Sequence, residues 1–279
     1  MKALGYYNGS FGPLDEMQVP MTDRAVYYGD GVYEATLAKN GVIYALDAHV
    51  DRLYRSAEML KIVPYMDKDE MKKELARMVG QMDDDTVLLY WQISRGTGRR
   101  AHPFPEGKSN FMMMITPFTL VNLMENVKCI TREDTRFLHC NIKTINLIPS
   151  IMAMQAAKDA GCYEAILHRN GRVTECSKSN VHILKDGALI TAPADNLILA
   201  GIARSHLMEA CNSLNIPVYE REYTVDELKN ADEIMTSSST SFLRRVTEVD
   251  GAEAGGRSEK TVRALQDYVM NRFFNETNR

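Results

Sequence analysis

GCYEAILHRNGRVTE, residues 161–175, is the stretch on which the fold turns. Two short apolar runs flank Asn170-Gly171, a pair that tolerates the positive φ angles of a tight hairpin. The segment therefore reads as two antiparallel strands, the second carrying Glu175 near its end. The pattern repeats downstream in SNVHILKDGALITAP (179–193), with Asp186-Gly187 as the turn. GIARSHLMEACNSLN (201–215) reads as a helix opening just after a glycine, and EKTVRALQDYVMNRFFNE (259–276) as a terminal one. Upstream, IPSIMAMQAAKDAG (148–161) reads as a helix with Gly161 at C′.

Working back, HCNIKTINLIPS (139–150) sets one ammonium inside an apolar run. Period two would put Lys143 with Ile145 and Leu147, and Ile142, Thr144, Asn146 and Ile148 opposite. The segment is either a half-solvated strand or the seat of a desolvated, reactive amine. In the N-terminal part, Gly31–Leu37 and Val42–Leu46 flank Asn40-Gly41 as a hairpin. DAHVDRLYRSAEMLKI (47–62) reads as a helix with Asp47 as N-cap and Val50, Leu53, Tyr54, Ala57 and Leu60 on one stripe. DKDEMKKELARMVGQM (67–82) follows as a second helix. TVLLYWQISRG and NFMMMITPF read as buried strands around the loop TGRRAHPFPEGKS, with Phe111–Met114 as core. A boundary near 118 divides the chain into domains 1–118 and 119–279. Strands and helices mix without regular βαβ alternation, so the fold class is α+β.

The bulk numbers narrow the partners. Hydrophobic residues make up 45% and charged ones 25%, as in an ordinary globular protein. A net charge of −4 gives no electrostatic reason to expect nucleic acid or an anionic membrane. No apolar run approaches the ~18 residues of a membrane span, and MKALGYYNGS lacks a signal-peptide core. Cys129, Cys140, Cys162, Cys176 and Cys211 are scattered and odd in number, which fits reduced thiols and a cytoplasmic setting. The six histidines form no metal-binding pair, so no metal is expected.

Several features point to chemistry. The opening of the GIAR helix offers free N–H groups to an anion. The cluster Ser237–Ser241 follows the apolar pair Ile234-Met235, and Arg52 on the first helix adds a cation. Each is also what a capped helix, a polar turn or a solvated arginine looks like. RGTGRRAHPFP (95–105) holds three arginines and a histidine, a set suited to a carboxylate but equally to a solvated loop. Together, a reactive lysine, an anion cradle, the Glu175 carboxylate and a carboxylate-binding loop are what a pyridoxal phosphate enzyme acting on amino acids requires. Desolvation and neighbouring cations favour the neutral, nucleophilic form of a lysine in such a site.

The chain resembles the fold-type IV pyridoxal phosphate enzymes, or class IV aminotransferases, and within them the bacterial D-amino acid aminotransferases. The resemblance runs over nearly the whole chain. It is carried by DRAVYYGDGVYE, HVDRLYRSA, RGTGRRAHPFP, CNIKTINLI, GCYEAILHRNGRVTE and LAGIAR. It implies a small N-terminal and a larger C-terminal α/β domain with the cofactor between them, in a homodimer. Lys143 would be the Schiff-base lysine and proton shuttle, and Glu175 the partner of the pyridine nitrogen. Arg52, the backbone of Ile202 and Ala203, and the hydroxyls of Ser238 and Ser239 would hold the phosphate, with Leu199 packed on the ring. Tyr33, Arg100 and His102 would trap the substrate α-carboxylate. The implied reaction exchanges amino groups between D-amino acids, D-alanine or D-glutamate, and 2-oxo acids. Alternatives are 4-amino-4-deoxychorismate lyase and branched-chain or (R)-amine transaminases, and, outside catalysis, a homologue that only binds. Two departures stand out. Ala203 replaces a frequent threonine, and Lys178 interrupts a serine-rich stretch.

Overall fold

The computed structural model describes residues 3–278. Contacts divide them into two compact units that are not contiguous in sequence. The first comprises residues up to 120 with 142–146 and 273 onwards, the second 121–141 with 147–272. Where the sequence suggests one boundary near 118, the chain instead returns to the first unit twice. The reason lies in what those returning pieces pair with, given below.

The first unit is built on a six-stranded sheet of order β2-β1-β6-β5-β3-β4. Its strands are β1 (Leu4–Tyr7), β2 (Ser10–Pro13), β3 (Gly31–Lys39), β4 (Val42–Ile43), β5 (Thr86–Ser94) and β6 (Asn110–Pro117), and all pairings are antiparallel. The hairpin at Asn40-Gly41 forms as expected, with both residues at positive φ. Period two decides the faces. Val87, Leu89, Trp91 and Ile93 of β5 point into a core that also takes Val50, Leu53 and Ala57 of α2 (Leu46–Met59) and Met71, Leu75 and Met78 of α3 (Lys68–Val79). The N-cap of α2 is Ala45, not Asp47; Ala45 sits in the left-handed region and its N–H donates to Glu276 at 2.7 Å. That contact, with the edge-to-face packing of Tyr44 on Phe273, is why the chain's last residues belong to this unit. A capping box between Asp67 and Glu70 starts α3.

Of the two readings of Ile142–Ile148, the strand does not form. The backbone there lies along the edge of β3 left uncovered by β4. The Tyr33 N–H donates to the Lys143 carbonyl, the Ile145 N–H donates to the Gly31 carbonyl, and a single bridge joins Val32 to Thr144. Two hydrogen bonds are enough to pin 142–146 to the first unit but not to align side chains by alternation. Ile142 is buried while Ile148, on the chain's return, is exposed at the start of α4 (Ile148–Asp159).

The second unit carries a mixed sheet, β12-β11-β10-β13-β14-β7-β8-β9, with β15 (Ala252–Glu253) paired to β14. The strands are β7 (Val127–Glu133), β8 (Glu164–Arg169), β9 (Arg172–Cys176), β10 (Asn180–Lys185), β11 (Ala188–Thr191), β12 (Val218–Glu220), β13 (Glu233–Ser238) and β14 (Phe242–Val249). The β8–β9 and β10–β11 hairpins turn on Asn170-Gly171 and Asp186-Gly187, all four at positive φ. Parallel pairs (β7 with β8 and with β14, β11 with β12) are the minority, consistent with α+β. The remaining helices are α1 (Arg24–Tyr28) in the first unit, and α5 (Ile202–Ser213), α6 (Val225–Lys229) and α7 (Glu259–Thr277).

Register brings functional ends together. Because β10 and β13 run antiparallel with Asn180 opposite Ser237, the start of β10, the end of β9, the β13–β14 turn and the start of α5 share one end of the sheet.

Candidate active site

In the first unit, Lys143 is partly buried with its Nζ 4.2 Å from the centre of the Tyr33 ring. Its backbone N–H donates to Ser56 Oγ at 3.3 Å. Tyr33 stacks on Tyr90 at 5.5 Å, on the face of the sheet turned away from α2. The next residue of β3, Glu34, faces the other way into the apolar core. A carboxylate there must be paired. It is: Arg52 Nε and Nη2 donate to its two oxygens at 2.6 and 2.8 Å, and His49 Nδ1 lies at 2.7 Å. Burial pushes the Glu34 carboxyl up, but Arg52 and His49 outweigh it and hold the group at about 2. His49 is shifted down, chiefly by burial. Arg52 thus stands in a fork-to-fork ion pair, its guanidinium plane fixed by Glu34.

Arg100 and His102 lie elsewhere in the same unit. The Arg100 guanidinium sits 5.3 Å over the Tyr28 ring, and the His102 ring lies 5.5 Å from it. No hydrogen bond, ion pair or ring contact joins Tyr33 to Arg100 or His102 among the described residues. The loop is tied down by the buried Arg24, which donates to the Ala101 carbonyl at 2.7 Å and to Asp30 at 2.7 Å. Asp30 also takes Arg95.

In the second unit, Glu175 stands near the end of β9. Its Oε2 accepts from Asn180 Nδ2 at 3.0 Å and from the Leu199 N–H at 3.1 Å, and its Oε1 pairs with Arg136. Arg136 is held in turn by Asp134, at 2.8–2.9 Å, and by the Leu197 carbonyl. Asn180 also reaches the Leu199 carbonyl at 2.9 Å. Gly201 is the N-cap of α5, and a Cβ there would run into Asn180 Oδ1, so only glycine lets the helix start so close to Glu175's support. The N–H groups of Ile202 and Ala203 open a twelve-residue helix that no side chain caps, at the positive end of its dipole.

The serine turn lies beside it. Ser241 N–H donates to Ser238 Oγ at 3.2 Å, and the two hydroxyls are 2.6 Å apart, so the Ser238 side chain braces its own turn. Ser237 Oγ is 2.8 Å from His182 Nε2, whose Nδ1 meets Thr191 Oγ1 at 2.9 Å. Burial, aided by Arg204, pushes His182 down to about 3, so it is a neutral brace for that turn. Phe242, next in the chain, has φ 53°, a non-glycine residue held in the left-handed region. Lys178, which the sequence leaves unassigned, is exposed with its Nζ 4.8 Å over the Tyr163 ring. Its backbone is locked because the buried Glu164 accepts from Lys178 N–H at 2.6 Å and Ser179 Oγ at 2.8 Å.

The sequence does not single out Glu34, His49, Arg136, Asn180 or His182. Asn180, five residues after Glu175 and opening a strand, carries some signal. The others act across sequence separations that no local pattern encodes.

The chain is similar to known proteins over most of its length. Residues 31–249 match the family described as amino-transferase class IV. A D-alanine aminotransferase of Listeria monocytogenes is 37% identical over 263 residues, covering 92% of this chain and 91% of its own. One from Bacillus licheniformis is 34% identical over 99% of both chains. In structure, the branched-chain amino acid aminotransferase of Escherichia coli superposes with a TM-score of 0.90 at 20% identity, covering 99% of this chain and 96% of that one. This last likeness speaks for the fold alone.

Proposed function

The chain belongs to the class IV aminotransferase family, and from that premise we propose that it transfers amino groups between D-amino acids and 2-oxo acids using pyridoxal 5'-phosphate. The observation that carries the reading is its 37% identity, over nine-tenths of the chain, to a D-alanine aminotransferase, and Lys143, Glu175 and the Arg-x-His loop in its sequence support it.

The residues fit the cofactor. A phosphate needs unpaired donors, and α5 begins with N–H groups that no side chain caps. A pyridine nitrogen needs a fixed carboxylate, and Glu175 is fixed by Asn180, Leu199 and Arg136. An aldehyde needs an amine, and Lys143 supplies one. When bound, pyridoxal phosphate supplies an electron sink for the bond broken at the amino acid's α-carbon. Glu175 would keep a proton on the ring nitrogen. Ile202 and Ala203 N–H, Arg52, Ser238 and Ser239 would hold the phosphate, and Leu199 would lie against the ring. Lys143 Nζ takes the α-proton and returns it, as a general base and then acid. Arg100 and His102, with Tyr33, hold the substrate carboxylate. The enzyme works as a cytoplasmic homodimer, with neither nucleic acid nor membrane as partner.

The test is steady-state turnover of D-alanine with 2-oxoglutarate, against L-leucine with the same acceptor. Pyruvate from D-alanine is expected, and its loss by at least ~10³-fold in Lys143→Ala. L-leucine turnover without D-alanine turnover would move the chain to the branched-chain enzymes. Pyruvate released from aminodeoxychorismate, with none from D-alanine, would make it a lyase.

A further inference from the structure

Lys178 lies in the three-residue link between β9 and β10, the strands that carry Glu175 and Asn180. The link is held from beneath. The buried Glu164 accepts from the Ser177 hydroxyl at 3.2 Å, the Lys178 N–H at 2.6 Å and the Ser179 hydroxyl at 2.8 Å. The Lys178 side chain lies on Tyr163, with Nζ 4.8 Å from the ring centre, and the residue is exposed. Tyr163 is fixed at its far end, where its hydroxyl donates to Ser241 Oγ at 2.9 Å and Ser241 meets Ser238. Arg244 brings a guanidinium to the same ring at 5.6 Å; it is buried, its Nε has no hydrogen-bond partner among the described residues, and its acid, Glu125, stands off at 3.9 Å. The Lys178 ammonium has neither ion pair nor hydrogen bond among the described residues. An exposed lysine needs no partner to be stable. Its place is what counts: the link sits at the end of the sheet where Glu175, the serine turn and the start of α5 meet.

We propose that Lys178 receives the second carboxylate of a substrate with an acid group at each end, such as D-glutamate or 2-oxoglutarate. The assignment rests on the amino-transfer reading above and names its substrate class. The donors given there to the α-carboxylate account for one charge of such a molecule and leave the other without a cation. A carboxylate drawn out of water needs a charge-assisted partner. Lys178 is a cation with its charge unspent, on a locked backbone, beside the turn that would hold the phosphate. An ammonium on a flexible stem suits the task, because it meets a carboxylate from several directions and stays hydrated when a substrate lacks one. D-Alanine has no second carboxylate and no use for Lys178. The residue that interrupts the serine-rich stretch is thus a selector for acidic side chains.

The experiment compares wild-type, Lys178→Gln and Lys178→Arg holoenzymes with D-glutamate or D-alanine as the sole amino donor. Each is also titrated by calorimetry with glutarate and with butyrate, a dicarboxylate and a monocarboxylate that carry no amine. Lys178 is exposed and its ammonium is unpaired, so neither change threatens the fold. In Lys178→Gln, kcat/KM for D-glutamate and affinity for glutarate should fall about tenfold, with D-alanine and butyrate within about twofold. Lys178→Arg should keep glutarate within about threefold of wild type, since the charge is retained. D-Glutamate and glutarate unmoved in Lys178→Gln, or a loss shared equally by D-alanine and butyrate, overturns the proposal. Cofactor lost on dialysis from Lys178→Gln but not from wild type would give the ammonium to the phosphate, and overturns it too. If wild type turns over neither donor, yet Lys178→Gln weakens glutarate about tenfold and spares butyrate, the carboxylate site stands and the amino-transfer reading falls.

Discussion

Glu34 and Glu175 are the same residue type, both on strands, both buried, and each paired with an arginine. They differ in where on the strand they sit. Glu34 is in mid-sheet, fully buried on the face that packs against α2, and Arg52 and His49 engage both of its oxygens. Glu175 is near a strand end, 6% exposed, and is held by an amide, a backbone N–H and Arg136. A carboxylate inside an apolar layer serves as scaffold, because opening it to a ligand would strand the buried Arg52 cation and the His49 ring. A carboxylate at a strand end can be braced from behind and still present itself at the sheet's edge. Position, more than pairing, separates the structural glutamate from the one proposed to serve the cofactor.

That contrast can be broken by substitution. Glu34→Ala leaves Arg52 and His49 buried without their anion and should cost about 3–5 kcal/mol of stability, read by denaturant unfolding. If Glu34→Ala unfolds like wild type, the scaffold role fails. Glu175→Gln should instead lower kcat by ~10²–10³-fold while changing stability by under about 1.5 kcal/mol. A fold loss as large as that of Glu34→Ala would erase the distinction.

Acid sharpens it further. The Glu34 carboxyl is held down in the folded chain, so its stabilisation is full above the ordinary value of 4.5 and is lost as pH falls toward about 2. Between those values each pH unit removes up to about 1.4 kcal/mol through this group. A Glu34→Gln chain should lack that part of the acid slope, whereas Glu175→Gln should keep it. Equal slopes in the two variants, followed by urea unfolding at stepped pH, would count against the pairing seen at Glu34.

The smallest effect is expected at the helix start. Ala203→Thr adds a hydroxyl where the α5 N–H groups are proposed to meet the phosphate, and should tighten the cofactor by roughly 3- to 10-fold, about 0.5–1.5 kcal/mol. Unchanged or weaker retention would mean that the phosphate does not sit at Ala203.

What the sequence reveals and what it hides follows from range. The three hairpins are legible because Asn-Gly and Asp-Gly carry their turn chemistry locally, at 40–41, 170–171 and 186–187. Glu175 and the α5 start are legible for the same reason. Around Lys143 the strand reading could not be separated from its alternative, because alternation of side chains looks alike whether a run joins a ladder or touches an edge by two hydrogen bonds. Glu34 is invisible because its partners lie 15 and 18 residues away on another element.

The central claim is a lysine-based amino transfer selective for the D-hand. It is tested most directly in a half-reaction: holoenzyme mixed with D-alanine or L-alanine, with no 2-oxo acid present, while the visible cofactor band and released pyruvate are followed. The expected result is loss of the band and one equivalent of pyruvate per active site with D-alanine, and neither change on the same timescale with L-alanine. Equal conversion of both enantiomers, or conversion of L-alanine alone, would contradict it.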